Sequence, residues 1–111
     1  MADTDTVLAE LRTKFPEGTN DLVPIEFRGL LFVLRNPSSG EYKRFLAEAN
    51  DTASGMSGVA THNLFVATCV YPERPAVETA LKRYPGLLQN PKVQGAIKYL
   101  CGQADDIAGK G

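Results

Sequence analysis

Two short β-rich runs, "LVPIEF" at 22–27 and "LLFVLR" at 30–35, stand two residues apart, and the second of those two is a glycine. No other feature of the chain limits its fold as strongly. Runs spaced this way read as a β-hairpin. Gly29 supplies the positive φ that a tight turn needs, while Arg28 suits such a turn less well than Asn or Asp. Pro24 has no N–H to give to a ladder, so the first strand is an edge strand or only partly paired.

A two-residue turn also sets the register. Phe27 then faces Leu30, Ile25 faces Phe32 and Val23 faces Leu34, and these six make one face, the core face. The opposite face carries Leu22, Pro24, Glu26, Leu31, Val33 and Arg35, which is more apolar than a solvated face should be. Either a helix of the same chain covers it or another chain does. Leu22, Pro24, Leu31 and Val33 are therefore the candidate partner-binding residues.

Helical patterns fill most of the remainder. Residues 5–14 with Phe15 place Val7, Leu8, Leu11 and Phe15 on one side behind a Thr4 or Asp5 cap, and Pro16 and Gly18 stop the pattern. So short a helix needs tertiary packing or a partner to persist. Ser38 and Glu41 have capping-box spacing ahead of a stripe of Tyr42, Phe45, Leu46 and Ala49. Residues 56–71 fit a helical face of Met56, Val59, Ala60, Asn63, Leu64, Ala67 and Val70, although "FVATCVY" alone also reads as a strand; length favours helix. Val77, Ala80, Leu81 and Tyr84 define a further helix closed by Pro85–Gly86. Asn90 caps a last one, with Pro91 at its first position and Val93, Ile97 and Leu100 on its buried side.

The expected fold is α+β: a small β-hairpin packed against a bundle of four to five short helices. It forms a single domain over 1–111, with an N-terminal helix in 1–18, the hairpin at 22–35, a helical part at 38–103 and a flexible tail at 104–111. A chain of 111 residues buries about 65% of its unfolded surface, enough for one core. Twelve basic and thirteen acidic residues leave a net charge of −1, which gives no electrostatic footprint for nucleic acid or an anionic membrane. No apolar run approaches the length of a membrane helix. Acids stand in the N-terminal "MADTDTVLAEL" where a signal peptide has basic residues, so the expected location is the cytoplasm. Cys69 and Cys101 form no CxxC pair; two buried free thiols is the first reading, and a Cys69–Cys101 bridge is the alternative.

Catalytic chemistry finds little support. The single histidine, His62, has no Cys, His or carboxylate three or four residues away, so no metal site is expected. "GMSG" at 55–58 matches a KH-domain loop by letter, but its flanks lack the basic residues that hold phosphates. No pair of carboxylates sits in surroundings apolar enough to separate two pKa values. No nucleophile elbow, phosphate loop or dinucleotide fingerprint occurs. The chain is expected to be non-enzymatic, with no cofactor.

The order of segments carries a resemblance. Arg35 and Pro37 form an R-x-P turn before a helix with Tyr42, Arg44 and Phe45 at its centre. Cys69, Val70, Tyr71 and Pro72 follow, then Tyr84, Pro85 and Gly86, then Leu100 and Gly102. Over about residues 30–102 this resembles the small tail assembly chaperones of long-tailed bacteriophages. The resemblance implies a protein of the host cytoplasm that keeps the helical tape measure protein in solution and helps gather tail-tube subunits. Two other roles remain open: an oligomeric structural or adaptor subunit of the tail built through the hairpin edge, in which a second copy is the partner, and a small inhibitor of a host protein.

Overall fold

The computed structural model describes residues 4–15, 21–53, 55 and 59–103. The stop signals at Pro16 and Gly18, most of "GMSG" and the tail at 104–111 lie outside the described residues. In chain order the elements are α1 (Thr4–Arg12), β1 (Leu22–Phe27), β2 (Leu30–Arg35), α2 (Ser39–Ala49), α3 (Ala60–Thr68), β3 (Cys69–Tyr71), α4 (Arg74–Arg83), a 3-10 turn (Leu87–Gln89) and α5 (Pro91–Leu100). The fold class is α+β, with an antiparallel sheet in the order β1-β2-β3.

The hairpin forms in the expected register, with Phe27 opposite Leu30, Ile25 opposite Phe32 and Val23 opposite Leu34. Both turn residues have positive φ, 49° at Arg28 and 80° at Gly29, as the type I′ turn of a two-residue hairpin requires. Side-chain alternation sends Val23, Ile25, Phe32 and Leu34 into the main core. There they meet Phe65 of α3, Val77, Ala80 and Leu81 of α4, Leu87, and Val93, Ala96 and Leu100 of α5. Phe32 and Phe65 pack edge to face at 5.8 Å. Leu30, expected in this core, is instead exposed, because it sits beside the turn at the very end of the sheet.

The run at 56–71 corrects a further expectation. It is not one helix: α3 ends at Thr68 and the chain continues as β3. Cys69 and Tyr71 pair with the otherwise open edge of β2, across an irregularity between Val33 and Leu34. The unmet backbone groups of β2 outweigh the length argument, since pairing satisfies two strands at once. The buried face of α3 is also rotated from the expected one. It runs through Ala60, Leu64, Phe65 and Thr68, while Ala67 and Val59 face outward. Thr68 is tolerated there because its hydroxyl donates to the Leu64 carbonyl at 2.9 Å.

The caps expected at α2 and α5 form, whereas Thr4 and Asp5 lie inside α1 and the Thr4 hydroxyl donates to Glu26 Oε1 instead. The Glu41 N–H donates to Ser38 Oγ, and the Ser38 N–H donates to Glu41 Oε1 at 2.8 Å, a complete capping box. Asn90 accepts from the Lys92 N–H at 2.9 Å and opens α5 behind Pro91. Glu41 also receives both arms of the Arg35 guanidinium, at 2.8 and 2.9 Å, and a third Arg35 hydrogen bond reaches the Ala67 carbonyl at 3.0 Å. One arginine at the end of β2 thus ties α2 and α3 to the sheet. Held mainly by the Arg35 hydrogen bond, the Glu41 carboxyl titrates far below the usual carboxylate range, at about 2.

Candidate partner-binding surface

The second face of the sheet is where the candidate residues lie, and α1 covers it. Val7 and Leu11 of α1 form a small cluster with Val33, and Leu8, Phe15, Leu22, Leu31, Val70 and Tyr71 pack around it. Val33 is 0% exposed. Leu22 and Leu31 are half-buried, and Pro24 is exposed. Of the four candidates, Leu22, Leu31 and Val33 lie in the cluster beneath α1, while Pro24, opposite Val33 in the register, is exposed. Of the two covers the apolar face allowed, the internal one is present.

The cover is slight. α1 is nine residues long, and only Val7 and Leu11 are buried in it. The Thr4 hydroxyl donates to Glu26 Oε1 on the sheet edge, at 2.7 Å. Along its outer flank runs an open groove of about 670 Å³ between Val7, Glu10, Leu11 and Lys14 on one side and Val70, Tyr71, Pro72 and Ala76 on the other. The apolar seam beneath α1 therefore continues into a surface that solvent reaches.

Pro24 marks how the β1 edge is finished. In this register Val23, Ile25 and Phe27 turn their amides toward β2, so the amide positions of Leu22, Pro24 and Glu26 face outward. Proline at the middle of those three removes the central outward donor. The Glu26 carbonyl is met by Lys92 Nζ at 3.4 Å. An edge with a missing donor and a lysine beside it pairs poorly with another strand.

A second apolar surface was not anticipated. α2 packs on α3, yet none of its residues is fully buried, and Leu46 is 40% exposed. Tyr42 and Phe45 stack at 6.2 Å, so the expected stripe forms but stays near the surface. The sequence signal for this was weak: Lys43, Arg44 and Glu48 crowd the stripe on both sides.

Cys69 and Cys101 are free thiols, half-buried rather than fully buried as expected, and form no bridge. Burial pushes the Cys69 thiol up to about 11, and its S–H donates to the Tyr71 carbonyl at 3.0 Å. Among the described residues, no group of three or more His, Cys, Asp or Glu is placed to hold a metal ion. No helix among them is long and apolar enough to cross a membrane.

Among the described residues, these features define a small α+β domain with a sheet that is apolar on both sides and roofed on one of them by the short helix α1. The chain belongs to a family described as a domain of unknown function (DUF6848), whose model matches residues 26–107. The matched span begins inside β1, so α1 lies outside it. No curated protein and no solved structure matches the chain.

Proposed function

We propose that this protein is a tail assembly chaperone of a long-tailed bacteriophage, acting without catalysis in the host cytoplasm on the tape measure protein. The observation that carries the reading is the two-sided apolar sheet whose outer face, among the described residues, is roofed by the short helix α1. A chaperone must offer apolar surface and withdraw it again. An amphipathic helix of the partner can take the place of α1 over Leu22, Leu31 and Val33, as helices do in hydrophobic grooves. The resemblance over residues 30–102 supplies the partner's identity, and tail-tube subunits are a second client on the same basis.

The test is co-expression. The tape measure protein should shift into the soluble fraction when the intact chain is present, and Leu31→Asp should remove that effect while the variant remains folded. An unchanged soluble fraction beside a folded chaperone overturns the reading. The alternative of an oligomeric structural or adaptor subunit draws its support from the open groove beside β3 rather than from β1, whose outer edge is blunted by Pro24. Scattering measurements that find a stable multimer, together with the chain in finished virions, favour that alternative.

A further inference from the structure

The tip of the hairpin holds a cluster that the apolar face does not explain. Arg28 is the non-glycine residue at positive φ among the described residues. Nothing in the turn itself calls for arginine: Asn, Asp and Gly adopt this conformation with less strain. The Arg28 guanidinium lies 5.4 Å from the centre of the Phe27 ring and 5.3 Å from that of Tyr84. The two rings meet edge to face at 5.3 Å. Arg83, at the end of α4, places its own guanidinium 5.3 Å from the same Tyr84 ring. Both arginines are exposed, and their guanidinium carbons are at most twice that distance apart. Lys92 reaches the same end of the hairpin through its hydrogen bond to the Glu26 carbonyl. Among the described residues, neither Arg28 nor Arg83 has a carboxylate within ion-pair distance.

We propose that Arg28 and Arg83, held on the Phe27–Tyr84 pair, form a docking site for a carboxylate-rich segment of a partner protein. A guanidinium fork matches a carboxylate in two parallel hydrogen bonds, and an aromatic face fixes the fork in place before the ligand arrives. Arginine and tyrosine are also among the residues that concentrate binding energy at protein interfaces. A polyanionic nucleic acid is the poorer occupant. The chain's net charge is −1, and two forks at one corner do not make the basic track along which a phosphate backbone lies. The proposal does not rest on the tail-assembly reading.

The experiment uses the full chain and a Glu-rich helical peptide as probe, read by fluorescence anisotropy, with melting temperatures measured on the same samples. Arg28→Asn keeps a residue that favours positive φ, and Arg83→Gln keeps the helix end. The double variant should bind the peptide about tenfold more weakly or worse, while Arg28→Asn alone melts at the same temperature as the parent or higher. Arg28→Lys, which keeps the charge but loses the fork, should recover only part of the binding. The proposal is overturned if the parent does not bind the peptide or if the double variant binds it equally well. It is also overturned if a charge-matched single-stranded oligonucleotide binds as tightly through the same arginines. A fall in melting temperature with Arg28→Asn, at unchanged peptide binding, would make Arg28 a staple of the turn and nothing more.

Discussion

Single residues carry more than one task in this chain, and Glu41 is the clearest case. Its carboxylate closes the cap of α2 and receives both arms of Arg35, which in turn holds the Ala67 carbonyl. The folded state lowers its pKa to about 2, so ionised Glu41 favours folding. That contribution is complete above the ordinary carboxylate range and disappears as pH falls toward about 2. Glu41→Gln should therefore be less stable than the parent at neutral pH by about 1–2 kcal/mol. The gap should narrow as acid denaturation curves are taken down through that window; a gap independent of pH would assign the effect to packing. The capping box was legible because its two residues are three positions apart. The Arg35 pair was not, although six positions separate the partners, because it depends on the angle at which α2 leaves β2.

At the level of elements, the hairpin was readable down to its register, since alternation and turn chemistry act between neighbours. The third strand was not. Residues 69–71 become β3 because β2 has an open edge, and an edge is a property of the assembled sheet. The role of α1 was stated in two halves that the sequence does not join: a short helix in need of packing, and a sheet face in need of cover. The structure joins them at Val7, Leu11 and Val33. Leu11→Ala should weaken that docking by about 2 kcal/mol, the low end for a leucine with few neighbours. Amide exchange should then accelerate in α1 while the amides of β2 and α5 keep their protection. Equal acceleration throughout would mean that α1 and the main core open as one unit.

At the scale of the whole molecule, the described residues form two unequal apolar clusters that share β2. The larger joins the sheet to α3, α4 and α5; the smaller belongs to α1 and the outer face. Phe32, 1% exposed in the larger cluster, is expected to lose about 3–5 kcal/mol on truncation to alanine. That loss should appear in the global unfolding midpoint in denaturant, in contrast to the local effect of Leu11→Ala. A loss under about 1 kcal/mol would indicate a core able to collapse around the gap. The fold class was legible because the periodicities switch clearly from two to helical spacing. The open stripe on α2 was not, because a stripe specifies a face and not how deeply that face is buried. The thin roof over Val33 has a quantitative consequence for any client that replaces it. Such a client sees only molecules in which α1 has already left, so its apparent dissociation constant is the intrinsic one divided by the open fraction. If seating α1 is worth about 2.7 kcal/mol, roughly one molecule in a hundred is open and affinity drops about a hundredfold. Under the proposed function, weak apolar encounters would go unanswered, and only a client abundant or tight enough to meet that threshold would be bound.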